Sequence, residues 1–301
     1  MEIAIANVHL DLGAGRRGTD MGPSAMHVAG LVPRLRSMGH DVLSVEAFTL
    51  PSTESMSIGS ERMKYLDPIL ATCTALAEHV ATVRRNGVFP LVLGGDHSVA
   101  MGTVSGLVRS QASAGERLGV LWVDAHTDMN TPETSPSGNI HGMPLATLLG
   151  HGVPELMAIG GEQPALRPED VVVIGARDVD PGEVEFVRQL GVRVISMSEI
   201  DTRGLARCVD EALEQITANT SGIHLSFDLD GVDPRDAPGV GTPVPGGLGL
   251  RESHLICEKV SRTGKLVGME MVELNPILDH ANKTGELAVW LIESALGKTI
   301  L

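Results

Sequence analysis

Short β-branched runs alternate with longer helical stretches along this chain, and that alternation constrains its fold more than any other feature. Runs at 2–8, 42–47, 89–93, 120–123, 171–175, 192–196, 223–227 and 266–272 read as strands. Stretches at 25–38, 61–86, 99–113, 181–190, 204–218, 251–262 and 282–295 read as helices. Such alternation builds βαβ units, whose strands run parallel with helices over both faces of the sheet. The run Val171-Val172-Val173-Ile174 fits, because a strand buried on both faces is apolar continuously rather than at every second residue. No internal repeat, low-complexity tract or long Ser/Pro linker interrupts the pattern, so the expectation is one domain over 1–301.

Segments rich in Gly and Pro at 13–23, 130–144 and 234–247 fall between a strand and the next helix. The last two are long for α/β connections, and long loops there tend to be functional. Open α/β sheets bind ligands beyond the carboxyl ends of their strands, so these loops point to the working end of the molecule.

With aromatic residues at only 2%, Val, Ile, Leu, Ala and Met must fill the core. The net charge of -15 repels nucleic acid and anionic membranes at long range, so neither is an expected partner. It would draw in a small cation, although solubility alone also accounts for it. Cys73, Cys208 and Cys257 are widely spaced and form no CxxC pair, which points to free thiols in a reducing compartment. The start Met1-Glu2-Ile3-Ala4 has no basic leader, and no apolar run approaches the ~20 residues of a membrane span. A cytoplasmic location is expected.

Asp124-Ala125-His126-Thr127-Asp128 follows the run 120–123. In extended chain, residues at i, i+2 and i+4 share a side, so three ligand-type side chains are expected to converge. Asp228-Leu229-Asp230 repeats the spacing after 223–227, and His97 follows 89–93 within Gly94-Gly95-Asp96-His97-Ser98. Each motif alone is weak. Together, at strand ends of one sheet, they gather four carboxylates that would repel and not stay ionised without cations. Two divalent metals balance four Asp charges, with His97 and His126 as neutral ligands. An oxygen-rich set with some imidazole favours Mn²⁺ or a similar ion over thiolate-seeking zinc, and paired metals imply hydrolysis. HExxH, GxSxG and P-loop signatures are absent. Gly13-Ala14-Gly15-Arg16-Arg17-Gly18 matches GxGxxG, but Asp20, Gly22 and Pro23 intervene before any helix, so a loop rimming the site is the better reading.

GGDHS at 94–98, DAHTD at 124–128, and SFDLDGVDP at 226–234 followed by APGVGTPVPGG at 237–247 resemble the signature segments of the arginase/agmatinase family. The likeness runs from GPSAMHVAGL at 22–31 to MVELNPILD at 271–279. It implies a three-layer αβα fold around a mostly parallel eight-stranded sheet, and two Mn²⁺ per subunit. By the same resemblance, His97, Asp124, Asp128 and Asp228 would hold one metal, and Asp124, His126, Asp228 and Asp230 the other.

The loop 130–142 resembles the arginase segment that reads an amino-acid head group. Asn130, Ser135 and Ser137, with Asn139 nearby, would donate to an α-carboxylate. Asp180 resembles the contact for the α-ammonium, with Glu183 behind it through water. The resemblance therefore implies hydrolysis of L-arginine to L-ornithine and urea by a metal-bridging hydroxide. Asp128 would hold that hydroxide, His141 would shuttle protons, Glu273 would orient the guanidinium, and Thr242 would lie near the reacting centre. Ser135 stands where Thr is common in the family, which keeps the hydroxyl; Thr127 and Met129 occupy variable positions.

The family also forms trimers or hexamers, and Asp201, Arg251 and Glu252 fall where inter-subunit ion pairs are placed; a local salt bridge is the competing reading. Another ureohydrolase, such as an agmatinase or guanidinobutyrase, shares the metal motifs but lacks the SPSGNIHG-type loop. A metal-stabilised scaffold would need neither His141 nor Glu273. A zinc amide hydrolase of the deacetylase type would use a single metal.

Overall fold

The computed structural model describes residues 1–50, 53–111, 115–161 and 164–299. The strands are β1 Glu2–His9, β2 Asp41–Thr49, β3 Gly59–Ser60, β4 Met63–Lys64, β5 Phe89–Leu93, β6 Leu118–Val123, β7 Val171–Ala176, β8 Arg193–Ser196, β9 Gly222–Asp228 and β10 Leu266–Val272. β3 and β4 make a small antiparallel hairpin. The other eight form one sheet in the order β2-β1-β5-β10-β9-β6-β7-β8. Every pairing in it is parallel, as the βαβ alternation requires. β10 is inserted in the middle: Met269 lies beside Leu91 of β5 on one side and Leu225 of β9 on the other.

The helices are α1 Gly22–Val28, α2 Leu31–Ser37, α3 Leu66–Arg85, α4 Ala100–Gln111, α5 Pro144–Leu148, α6 Pro154–Met157, α7 Pro181–Leu190, α8 Met197–Arg203, α9 Leu205–Thr217, α10 Leu250–Arg262 and α11 Lys283–Ala295. Successive strand residues point to opposite faces and so feed two cores. Leu121 and Val123 of β6 and Val172 and Ile174 of β7 join the core under α1, α2, α9, α10 and α11. Val120, Trp122, Val171 and Val173 join the core under α3 to α6. This is the expected three-layer αβα fold. No helix among the described residues is long and apolar enough to cross a membrane, and the three cysteines are free and buried.

Local structure departs from expectation where single residues interrupt a period. The helix expected over 25–38 is two, α1 and α2, because Gly30 turns the chain through the left-handed region at φ 87°. The helix expected from 61 begins at Leu66, after the β3–β4 hairpin and Tyr65 at φ 55°. Residues 112 and 113 of the expected 99–113 helix lie outside the described residues. α5, α6 and α8 were not expected; α8 starts where Ser196 accepts a hydrogen bond from the Glu199 amide at 3.3 Å. One stretch of the second core is polar: His224 and Ser226 of β9 and Glu270 of β10 are each 0% exposed.

Candidate metal centre

The site lies beyond the carboxyl ends of β5, β10, β9 and β6, four strands that are neighbours in the sheet. After β5 the chain turns so tightly that a Cβ on Gly95 would stand 1.6 Å from the Leu10 carbonyl oxygen. Only glycine fits, and the turn delivers His97 in a 3-10 turn, His97–Val99, capped by the Asp96 carboxylate on the Ser98 amide at 3.0 Å. Asp96 also accepts from the Gly13 amide at 2.8 Å, tying the 13–23 loop to this turn.

The convergence of Asp124, His126 and Asp128 does not arise from extended chain, as expected from the spacing. The backbone bends at Ala125 and His126, where the His126 amide donates to Asp124 Oδ1 at 2.7 Å. Asp128 sits in the left-handed region at φ 52°, and so does Glu273 at φ 64°. Non-glycine residues held there cost of order 1–3 kcal/mol each and cluster at functional sites. Asp228 and Asp230 are likewise brought together by a 3-10 turn, Leu229–Gly231, with the Asp230 amide donating to Asp228 Oδ1 at 2.7 Å.

The result is two ligand groups sharing Asp124: His97, Asp124 and Asp228, and Asp124, His126 and Asp230, each with donor atoms within 4.8 Å of one another. His97 Nδ1 lies 3.2 Å from Asp124 Oδ2, 2.9 Å from Asp128 Oδ2 and 3.1 Å from Asp228 Oδ2. His126 Nδ1 lies 3.4 Å from Asp124 Oδ1 and 3.1 Å from Asp230 Oδ2. Donors bonded to one small cation at about 2.1 Å are separated by such distances. His97 Nδ1 and Asp128 Oδ2 are buried without hydrogen-bond partners, as metal-directed atoms would be. All six expected ligands therefore meet at one place, and their chemistry fits two divalent ions.

Electrostatics agree. Burial and the neighbouring Asp124 charge push Asp128 up to about 7. Burial and neighbouring carboxylates also raise Asp228 and Asp230. Burial alone would raise Asp124, but His126 and His97 outweigh it and hold it low. A carboxylate cluster this reluctant to ionise fully calls for cations.

Above the ligands opens a cleft of about 470 Å³, lined among others by Arg16, His126, Asn139, His141, Thr242 and Glu273. The GxGxxG-like segment thus rims the cleft. Glu273 Oε1 accepts from the His97 amide at 2.9 Å and pairs with His141 Nδ1 at 3.0 Å, whereas its buried Oε2 has no partner. Burial would lower the His141 imidazole, but Glu273, Asp96 and Asp128 together push it up to about 9. Thr242 donates to Asp230 Oδ2 at 2.8 Å. Asn130 donates to Asp180 at 2.9 Å, and Ser135 and Ser137 accept from the Gly138 and Asn139 amides at 3.0 and 3.2 Å. Glu183 is 3% exposed and turned away from the cleft's ligands; it accepts from Thr127 Oγ1 at 2.7 Å and the Met129 and Asp180 amides at 2.9 and 3.0 Å. It braces the loop on either side of Asp128.

At the surface, Arg251 pairs with Glu258 of its own helix at 2.9 Å, Glu252 caps α10 by accepting from the Gly249 amide at 2.8 Å, and Asp201 is exposed on α8. Sequence reasoning passes over several supporting residues. Trp122 stacks on His97 at 4.1 Å between ring centroids and donates to Asp124 Oδ2 at 2.9 Å. Arg177 donates to five carbonyls, those of Gly175, Asp230, Gly231, Val232 and Val244, and so pins the 230–244 loop over the site. His97 Nε2 meets Ser226 Oγ at 2.8 Å, which in turn donates to Glu270 Oε1 at 2.7 Å. The available signal was a polar residue within an otherwise apolar strand.

Comparison with known proteins agrees with this geometry over the whole chain. The model of the Arginase family matches residues 1–297. An arginase of Bacillus caldovelox is 48% identical over 300 residues, covering 99% of each chain. The crystal structure of arginase from Bacillus caldovelox superposes with a TM-score of 0.95 at 47% identity, covering 100% of this chain and 99% of that one. The Entamoeba histolytica arginase in complex with L-ornithine superposes with a TM-score of 0.90 at 31% identity, covering 99% of both. With its sequence and its fold both matched from end to end, this chain belongs to the arginase family.

Proposed function

We propose that the protein is a manganese-dependent hydrolase that converts L-arginine to L-ornithine and urea. The observation that carries this reading is the unpartnered, buried Glu273 Oε2 in a cleft whose floor is the double ligand group sharing Asp124. A buried acceptor left unpaired costs about 1–3 kcal/mol, and a guanidinium N–H is the donor that recovers it. When bound, two Mn²⁺ supply Lewis acidity that makes water a nucleophile at neutral pH.

The protein's own residues then divide the work. His97, Asp124, His126, Asp128, Asp228 and Asp230 hold the ions. Glu273 orients the guanidinium carbon toward them. Asp128, whose Oδ2 is buried without a hydrogen-bond partner beside His97, is placed to accept a hydrogen bond at the reacting centre. His141, paired with Glu273 at the cleft, is placed to pass a proton to the departing amine. Thr242 lies against Asp230 beside that centre. At the mouth, Asn130, Ser135, Ser137 and Asn139 are suited to an α-carboxylate and Asp180 to an α-ammonium, with Glu183 fixing Asp180 from behind. The L-ornithine found on the Entamoeba histolytica relative supports the same product here.

We further read residues 1–301 as one catalytic unit in the cytoplasm, in keeping with three buried free thiols. Assembly as a homotrimer or homohexamer through Asp201, Arg251 and Glu252 would require Arg251 to exchange Glu258 for a partner across the interface.

Urea release from L-arginine and agmatine, measured in parallel after Mn²⁺ loading and with Asp128→Ala as control, tests the reading. Urea from L-arginine alone, abolished in the control, is the expected result. Urea from agmatine alone would overturn the assignment of the 130–142 loop, and none from either would overturn the catalytic reading.

A further inference from the structure

The polar stretch of the second core has no place in the reaction so far. Glu270 is 0% exposed, and so are His224 and Ser226, within layers otherwise filled by Leu, Val and Met. A carboxylate in such surroundings costs several kcal/mol unless paired and hydrogen-bonded, so its presence demands a cause. His224 Nε2 lies 3.3 Å from Glu270 Oε1, and Ser226 Oγ donates to the same oxygen at 2.7 Å. Burial would push the Glu270 carboxyl up, but the adjoining His224 helps to hold it below the usual range.

The chain of bonds has only one workable direction. His97 turns Nδ1 toward three Asp oxygens, so a cation there requires Nδ1 bare and the proton on Nε2. Nε2–H then donates to Ser226 Oγ, at 2.8 Å, and the Ser226 hydroxyl must donate elsewhere. Glu270, an acceptor without a donor of its own, receives it. With an apolar residue at 270, the Ser226 hydroxyl could rotate to donate into Nε2 and drive the proton to Nδ1, where it blocks the metal.

We propose that Glu270 is a positioning residue for the His97 metal site: through Ser226 it fixes the imidazole tautomer that binds the cation. The proposal rests on the two-metal reading above. Its effect is confined to one of the two ligand groups, because His126 takes no part in the chain.

Metal-free full-length protein is titrated with Mn²⁺ alone, with free Mn²⁺ read by its aqueous electron paramagnetic resonance signal, for wild type, Glu270→Gln and the double variant Glu270→Leu/Ser226→Ala. Melting of each metal-free protein is followed alongside. Wild type takes up two Mn²⁺ per chain, and a smaller uptake would remove the two-metal reading and this proposal with it. Glu270→Gln places an amide NH2 where it can donate to Ser226 and turn that hydroxyl toward Nε2, so it should weaken one site about 10–100-fold and leave the other close to wild type, the range known for loss of a partner behind a metal ligand. The double variant removes both groups behind the imidazole, leaving Nε2–H without an acceptor, and should show the same one-sided loss even if Glu270→Gln folds poorly. Wild-type affinity at both sites in the folded variants would overturn the proposal. So would equal weakening of both sites in step with a lower melting temperature, since that is what a purely structural role gives.

Discussion

Replacing Glu183 by Ala would remove an acceptor that three donors share, from Thr127, Met129 and Asp180. Hydrogen bonds to a charged acceptor contribute roughly 1.5–3 kcal/mol each. Three of them therefore sum to roughly 5–9 kcal/mol, from which the several kcal/mol spent on keeping a carboxylate buried must be subtracted. A net loss of about 3 kcal/mol remains, or on the order of 5 °C in melting temperature for a chain of this size. The Thr127 and Met129 donors flank Asp128, which is held in the left-handed region between them, so Mn²⁺ affinity should fall as well. Calorimetry of the metal-free and Mn²⁺-loaded variant reads both effects, and loading should restore less stability than it does in wild type. A metal-free Glu183→Ala protein melting within about 2 °C of wild type, with unchanged Mn²⁺ uptake, would refute the reasoning.

Two further outcomes are expected. His141 has its folded value raised from 6.5 to about 9, so its pair with Glu273 stabilises the metal-free protein fully below pH 6.5. About 3 kcal/mol should then be lost as pH rises through 9, and denaturant unfolding of wild type against His141→Gln at pH 6 and pH 9.5 measures it; equal differences at both would contradict the pair. Gly95→Ala forces a Cβ to within 1.6 Å of the Leu10 carbonyl oxygen, a backbone clash that must move the turn bearing His97. Its cost should reach about 3 kcal/mol with loss of Mn²⁺ stoichiometry, and a variant that melts and binds like wild type would show the turn has slack.

The sequence made the strands legible because burial on both faces writes itself as an unbroken apolar run, as in Val171 to Ile174. It made the six proposed ligands legible because strand ends and ligand-type residues coincide. How the ligands converge was not legible: the i, i+2, i+4 argument assumes extended chain, whereas Asp128 turns through φ 52° under the restraint of Glu183, which lies 55 positions along the sequence (183 − 128). Gly30 was hidden for a similar reason, since one glycine inside a helical period can be tolerated or can end the helix. Glu270 had no visible purpose, because its partner Ser226 is itself a polar residue in a buried strand and the partner of Ser226, His97, lies 129 positions earlier (226 − 97).

The central place of β10 has a consequence for the order in which the protein is made. Before residues 266–272 exist, β2, β1 and β5 can form one ribbon and β9, β6, β7 and β8 another, but no strand joins them. His97 belongs to the first ribbon, and the five aspartate and histidine ligands from Asp124 to Asp230 belong to the second. Synthesis from the N-terminus therefore yields nearly nine-tenths of the chain with its metal centre still in two pieces (265 of 301 residues). Only when β10 slides between Leu91 and Leu225 does the imidazole meet its carboxylates, so metal capture reports that the sheet has closed.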